Sequence, residues 1–497
     1  MGVETELKFR LPARSIAALA KGRLPRAKKG RPEHARLVST YYDTAEHKLR
    51  RHGLSLRIRE AHGKRLQTVK SATTGPIGRG EWEAEIDGRS PDIERACESP
   101  LGEFGDKLKR KLKQVFKTQV ERTTIALRSG AAEIELAIDR GRIAAGRRHS
   151  RIAEVELELK RGRPAELFRL ARTLERRMAA ELYLASKAQR GYELEEGKDN
   201  PVHFVEPIGL PRDMPAIDAF KVIARSTIRH FVDNADAVRA REPEGVHQMR
   251  VGLRRTRAAV SIFADMLPGP GTERVKSELK WLTNALAPAR ELDVFMRKKI
   301  TPATRRSISK RGARAIEQEF AARRQQAFTR AGAALRSSRY RLLLIDIHEW
   351  LETQIQSRTE AARTKVDSFA EDVLHHRLRK IRKDGKHLRT LSAQDRHKLR
   401  IRIKKIRYAL EFFESLHKGR ERKRLTRLSR HLKGLQGMLG SLNDFAAHRK
   451  MAADAALHAP RANRRARAFT AGIMLGEEKE ATRPLLKGAA KAIKQLG

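Results

Sequence analysis

In Glu154-Val155-Glu156-Leu157-Glu158-Leu159-Lys160 every second residue is charged and every residue between is apolar. A helix would scatter these charges around its axis, whereas a strand sets alternate residues on one face. The stretch therefore reads as a strand with one charged and one apolar side. The same alternation recurs in Glu4-Thr5-Glu6-Leu7-Lys8, Leu54-Ser55-Leu56-Arg57-Ile58-Arg59, Glu81-Trp82-Glu83-Ala84-Glu85-Ile86 and Glu133-Ile134-Glu135-Leu136-Ala137-Ile138-Asp139. Turn signals lie between these stretches at Gly63, Gly75-Pro76, Gly78, Gly88 and Asp139-Arg140-Gly141. Helical periodicity falls at Arg14 to Leu24, Phe104 to Phe116 and Ala165 to Leu182. This half reads as α+β with an antiparallel sheet.

Charged faces are costly inside a closed fold unless counter-charges sit there. Glu4, Glu6 and Lys8 project together, as do Glu154, Glu156, Glu158 and Lys160, and the apolar residues between them would pack outward against helices. A tunnel lined by these glutamates and by Arg57, Arg59, Lys70, Arg122 and Lys187 could hold a divalent ion on its acidic side and clamp a chain of phosphates on its basic side. The alternative is a set of strands that face solvent with mixed charge.

Pro201, Pro207, Pro211 and Pro215 mark an extended linker, and after it the pattern is helical to the end. The domains expected are 1–198, a linker at 199–215, and 216–497 with halves at about 216–345 and 346–497. The halves rest on an internal echo 150 residues apart. His247, Arg250, Arg254, Arg255, Arg257 and Phe263 match His397, Arg400, Lys404, Lys405, Arg407 and Phe413. His247, Arg250, Arg254 and Arg257 form a basic stripe on one helix face, and His397, Arg400, Lys404 and Arg407 repeat it. An acidic element follows each copy, Arg290-Glu291-Leu292-Asp293-Val294 in the first and Asn443-Asp444 in the second. Asp293 and Asp444 are expected to hold arginines through salt bridges.

The formal net charge is +48, of which +33 falls in residues 201–497, with 64 Lys and Arg against 31 Asp and Glu. Such a domain wants a polyanion. Aromatic residues are only 5%, and neither an aromatic-interleaved basic surface nor a reading helix is evident, so no specific nucleic acid is expected. The single Cys97 reads as incidental and excludes a multi-cysteine metal site. Glu4 and Glu6 stand where a signal peptide would be basic then apolar, and no apolar run approaches membrane-spanning length; the expectation is a cytoplasmic chain without a membrane partner. Neither a Gly-x-x-x-x-Gly-Lys loop nor a His-Glu-x-x-His pair is present.

The ordered set Glu4/Glu6/Lys8, Tyr42-Asp43-Thr44, Arg57/Arg59, Lys70, Glu81/Glu83, Arg122, Asp139 and Glu154/Glu156/Glu158 resembles the CYTH, or triphosphate tunnel metalloenzyme, family over residues 1–195. The resemblance implies an antiparallel eight-stranded tunnel barrel that hydrolyses inorganic triphosphate with Mg²⁺ or Mn²⁺. Carried over residue by residue, Glu4, Glu6, Glu154, Glu156 and Glu158 would surround metal. Lys8, Arg57, Arg59, Lys70, Arg122 and Lys187 would bind the triphosphate, with Glu81, Glu83 and Lys8 as catalytic groups. From residue 212 onward the repeated basic helices and the Arg290–Val294 element resemble the CHAD, or conserved histidine α-helical, family. That implies two pseudo-symmetric four-helix bundles whose residues His247, Arg250, Arg254, Arg255, Arg257, His397, Arg400, Lys404, Lys405 and Arg407 bind inorganic polyphosphate and can target the protein to polyphosphate granules. Hydrolysis of thiamine or nucleoside triphosphate, and a non-catalytic polyphosphate binder, stay open beside the triphosphatase, and the oligomeric state is left undetermined.

Overall fold

A computed structural model describes residues 5–20, 28–61, 63–71, 80–96, 99–104, 108–300, 310–355, 359–457 and 464–496. Glu4 and Cys97 lie outside the described residues. The chain forms two compact units. The first comprises residues 1–203 with the segments 232–237 and 335–354, and the second comprises 204–231, 238–334 and 355–497.

The first unit is built on one antiparallel sheet. Its strands are β1 (Thr5–Arg10), β2 (Lys28–Lys29), β3 (Glu33–Asp43), β4 (Leu54–Ala61), β5 (Lys64–Ser71), β6 (Glu81–Glu85), β7 (Lys113–Ser129), β8 (Ala132–Ala145), β9 (Arg148–Arg161) and β10 (Glu181–Leu182). Nine follow one another in the order β10-β1-β9-β8-β7-β3-β4-β5-β6, and β2 pairs with β7. The expected closed, eight-stranded barrel is corrected on both counts. The additional strands, β2 and β10, are two residues each, too short for alternation to reveal. The sheet is open among the described residues because β6 pairs with β5 alone, while Phe9 and Arg10 on the outer edge of β1 are taken by Leu182 and Glu181. The helical periodicity of Phe104 to Phe116 is also overturned: 3₁₀ turns end at Lys111 and β7 begins at Lys113. Phe116 pairs with Tyr41 and stacks on its ring at 4.5 Å, a sheet contact that outweighs local helical spacing.

The two faces of the sheet separate by chemistry. On one, Leu7, Phe9, Val155, Leu157, Leu136 and Ile138 are buried, and the helix Pro164–Met178 covers β1 and β9 with buried Leu167, Phe168, Ala171 and Leu174. The other face carries the charged residues. The helix Lys187–Glu195 packs on it, seating Tyr192 among Tyr41, Phe116, Ile143 and Ile152. Gly191 permits this seating, since a Cβ there would stand 2.1 Å from the Phe116 ring. At the β8–β9 hairpin Gly146 supplies the positive φ of 57° that the tight turn demands.

The second unit is helical. The helices Pro243–Ile262 and Ala393–Phe412 are each followed by a 3₁₀ turn, Ala264–Met266 and Glu414–Leu416, and then by another helix, Pro270–Ala285 and Gly419–Leu457. The echo in the sequence is thus an echo of elements. Val246, Met249, Leu253 and Val260 in the first copy and Leu399, Ile403 and Leu410 in the second are buried, so each basic stripe borders an apolar one that anchors it. Among the described residues no helix is long and apolar enough to cross a membrane.

Candidate functional site

Registers decide which side chains meet. Arg122 pairs with Asp139, Asp139 with Glu154 and Glu154 with Arg10; one step along, Glu156 pairs with Lys8 and Glu158 with Glu6. Directly opposed residues share a face, and so do alternate residues of one strand. The same rows continue through Thr118, Ser39 and Arg59, and through Phe116, Tyr41, Arg57, Thr68 and Glu83, with Lys70 opposite Glu81. Lys8, Glu6, Arg57, Arg59, Lys70, Glu81, Glu83, Arg122, Glu154, Glu156 and Glu158 therefore project from one continuous face, and Lys187 reaches it from its helix.

On the β8–β9 side the carboxylates are met by the chain's own cations. Lys187 Nζ lies 2.8 Å from Asp139, 2.9 Å from Glu156 and 3.1 Å from Glu154. Arg122 donates to both oxygens of Asp139 at 2.7 Å and to Glu156 at 2.5 Å. Arg190 donates to Glu154 and to the Ser150 hydroxyl. Burial alone would raise the Glu156 carboxyl, but Lys187 and then Arg122 hold it well below the usual range. Burial would likewise lower the Lys187 ammonium, and Glu156, Glu154 and Asp139 together hold it well above. Lys8 donates to the Ala185 carbonyl oxygen and stands 5.7 Å from the centre of the Tyr183 ring. Glu158 pairs with Lys160 at 2.6 Å.

On the β4–β6 side the cations are less well matched. Lys70 pairs with Glu81 at 2.7 Å, Arg57 stands 3.6 Å from Glu81 and 4.0 Å from Glu83, and the Thr68 hydroxyl donates to Glu83 at 2.8 Å. Burial works against the Glu81 charge, yet Lys70 and Arg57 hold its carboxyl below the ordinary value. Arg59 is pushed down to about 10, first by burial and then by Arg57, with Arg122 adding to it. The Nε atoms of Arg57 and Arg59 are buried without a hydrogen-bond partner among the described residues. Buried donors left unpaired cost free energy, so this side is arranged for an acceptor that the described residues do not supply.

Oxygen donors of this kind suit a hard divalent cation. Oxygens of Asp139, Glu154 and Glu156 converge on one point, a donor set that fits such an ion in its chemistry. Lys187 stands at that point, and no group of three or more Asp, Glu, His or Cys among the described residues is arranged to hold a metal ion around it.

Sequence spacing alone assigns no site role to Arg190 or Asp139. The signal for Arg190 is its place three residues after Lys187, one turn along the same helix face. Asp43, at the end of β3, shapes the backbone. Fully buried, it accepts from the backbone N–H groups of Thr44, Leu49 and Arg50 and from the Tyr192 hydroxyl, fixing the turn after β3.

In the second unit the two basic stripes act on each other. Lys404 is pushed down to about 8, by burial first, then by Arg400 and Arg254, with Arg250 contributing. Burial and then Arg254 push Arg250 down to about 10, and burial and then Arg290 lower His247. Arg250, Arg254, Arg400 and Arg407 each bury an Nε with no hydrogen-bond partner among the described residues, although Arg250 also donates to the Thr283 carbonyl oxygen and Arg407 to the Gln436 side chain, both at 2.7 Å. Lys405 and Arg257 group instead with Arg377: burial and then these two arginines lower the Lys405 ammonium. His397 is partly buried.

Arg255 is set apart. It is 1% exposed and pairs with Glu411 at 2.6 Å, a buried structural position and not a place on the stripe. Asp293 holds Arg324 at 2.9 Å and Arg290 at 3.4 Å, neither of them a stripe residue, while Asp444 acts on Arg400 and Lys404 through its charge.

The model of the CYTH domain matches residues 2–192 and the model of the CHAD domain matches residues 222–453. The chain is a CYTH domain followed by a CHAD domain. Over 169 residues it is 33% identical to an inorganic triphosphatase of Haemophilus influenzae, a match covering 32% of this chain and 47% of that protein. The chain therefore spans about half the length of this curated relative. The CHAD domain of the plant Ricinus communis is 26% identical with a TM-score of 0.51, covering 59% of this chain and 96% of that one. PptA from Streptomyces chartreusis is 18% identical with a TM-score of 0.45, covering 56% of this chain and 99% of that one.

Proposed function

We propose that the CYTH unit hydrolyses inorganic triphosphate with Mg²⁺ or Mn²⁺ and that the CHAD unit binds inorganic polyphosphate, which would hold the chain on polyphosphate granules. The observation that carries the first part is the division of one sheet face into a carboxylate side around Asp139, Glu154 and Glu156 and a guanidinium side where Arg57 and Arg59 bury unpaired donors. The similarity to an inorganic triphosphatase supports the same reading.

Phosphoryl transfer asks little covalent chemistry of a protein; positioning and charge neutralisation carry most of the acceleration. Arg57, Arg59, Lys70 and Arg122 would bind phosphate oxygens, with Lys8 alongside. Glu6, Glu154, Glu156 and Glu158, and Glu4 beyond the described residues, would hold the divalent ion, which when bound supplies charge neutralisation and an acidified water. Glu81 and Glu83 would orient the attacking water, Glu81 remaining a carboxylate at neutral pH because Lys70 and Arg57 keep its proton affinity low despite burial. Triphosphates carrying thiamine or a nucleoside are the competing substrates.

The position of Lys187 among the carboxylates favours a second reading, a CYTH unit that binds phosphate chains without cleaving them. Both are tested by phosphate release from tripolyphosphate, ATP and thiamine triphosphate with Mg²⁺ or Mn²⁺, beside Glu156→Gln. Metal-dependent release that prefers tripolyphosphate and is lost in Glu156→Gln is the expected result. No release from any of the three substrates, together with tight salt-resistant polyphosphate binding, would instead make this a binding protein.

In the CHAD unit the carrying observation is that stripes from both repeats depress each other's basic groups, as Arg254 and Arg250 do to Lys404. A bound polyanion would relieve that repulsion and satisfy the buried Nε atoms.

A further inference from the structure

The carboxylate side of the CYTH unit already contains a cation, and it belongs to the chain. Asp139 and Glu154 are 0% and 1% exposed, and they and Glu156 stand on the neighbouring strands β8 and β9, so their positions follow from sheet register. Lys187 is fixed from the opposite direction. It opens a helix capped by the Ser186 hydroxyl, which accepts from the Gln189 N–H at 3.0 Å, and the helix is seated through Gly191 and Tyr192 on Phe116 and Asp43. Between these two rigid bodies only the flexible four-carbon stem of Lys187 can move readily.

Three carboxylates, Asp139, Glu154 and Glu156, face Lys187, Arg122 and Arg190, and Lys8 adds its charge to Glu154 and Glu156. The cluster's carboxylates are thus fully countered without metal. An ammonium hydrogen-bonds carboxylate oxygens at the distances seen here, whereas Mg²⁺ would draw them to about 2.1 Å; the two cations cannot share the point. Adding a divalent ion with Lys187 in place would also leave excess positive charge in a buried cluster.

We infer that Lys187 is a built-in counterion that occupies the carboxylate convergence point in the metal-free protein and has to leave it before a divalent cation can enter. This rests on the proposed use of a divalent ion by the CYTH unit. Displacement turns the ammonium into a free cation beside Arg122, so metal entry would also complete the phosphate-binding side. The apparent metal affinity is then reduced by the fraction of time Lys187 is in place.

The test reads metal binding and not turnover. Mn²⁺ binding to the full chain, followed by electron paramagnetic resonance, is compared with Lys187→Met, which keeps length and removes charge. Binding tightened about tenfold or more is expected if Lys187 is seated nine-tenths of the time; equal or weaker binding overturns the inference. Should Lys187→Met fail to fold without metal, the wild-type chain labelled with ¹⁵N-lysine serves. Its Lys187 ammonium signal, assigned by its absence from Lys187→Arg, is expected to be lost or shifted when Mg²⁺ saturates the site, and an unchanged signal overturns the inference. Tighter Mn²⁺ binding in Lys187→Met together with no phosphate release by the wild-type chain would sink the proposed hydrolysis and leave the counterion standing.

Discussion

The CYTH and CHAD units treat buried charge in opposite ways. In the CYTH unit cations and carboxylates are interleaved, so that Lys187 alone touches three acids and Arg122 two. The CHAD unit sets like charges side by side, and Arg250 and Lys404 are held below their ordinary affinity for protons by burial and by neighbouring cations. The first arrangement is satisfied by itself, and a ligand would have to exchange partners with it in fixed geometry. The second sets up repulsion that a polyanion would relieve, so its affinity should come from summed charge. The difference predicts that the CYTH site is sensitive to single side chains and the CHAD site to salt.

The largest expected effect is therefore in the CYTH unit. Arg59→Ala should lower kcat/KM for tripolyphosphate by about 10²–10³-fold, the usual cost of removing one preorganised donor. Turnover assays with saturating Mg²⁺ decide it, and a loss below fivefold would mean that this unit, too, works by summed charge. Next in size is a stability effect at Arg255, which lies off the stripe and is paired with Glu411. Glu411→Ala strands the Arg255 guanidinium and should cost about 3 kcal/mol, toward the low end for a broken buried pair because Glu411 reaches the surface. Its readout is the urea midpoint of the CHAD transition, with polyphosphate affinity measured on the folded variant. Affinity within twofold of wild type would confirm that Arg255 supports the stripe without touching ligand, and a tenfold loss would return Arg255 to the binding surface.

How much of this was legible in the sequence follows the same division. Strand faces were legible because alternation is long in β9, and the helical echo was legible because apolar and basic spacings repeat together. Closure was not: β10 is set by where Leu182 meets Phe9, a tertiary contact with no periodic trace in two residues. Arg255 belongs to the repeated set but not to the stripe, for eight residues after His247 it lies about 80° around the helix, at 100° per residue. Lys187 could be assigned to the site but not to its partners, because three carboxylates on two strands converge only after β8 and β9 are registered. Asp43, which stands within a family motif, is a backbone cap, a role that needs the three N–H groups around it to be seen.

Two smaller effects sharpen the contrast from the CHAD side. The logarithm of polyphosphate affinity should fall linearly with the logarithm of salt, and Arg250→Ala should reduce that slope by about 1. Titration calorimetry across a salt series measures it, while kcat for tripolyphosphate under the same series should change little. An unchanged slope in Arg250→Ala would remove this residue from the ligand's path.

The last effect is the pH dependence set by Lys404. Its protonated form is disfavoured in the unliganded fold by burial and by Arg400, Arg254 and Arg250, with Asp444 partly offsetting them, so its affinity for a proton drops to about pH 8. For a base lowered in this way, folding is penalised while the group is charged, and the penalty is lifted as pH rises from about 8 toward the ordinary lysine value. The unliganded CHAD unit should therefore gain stability over that window. A polyanion wants the charged form, so polyphosphate affinity should move the other way, falling up to tenfold per pH unit above 8. Lys404→Arg keeps the charge and should flatten the binding curve in this range. Binding that is equally flat in the wild-type chain would show that Lys404 lies outside the polyanion's reach and that the stripes of the two repeats do not act as one site.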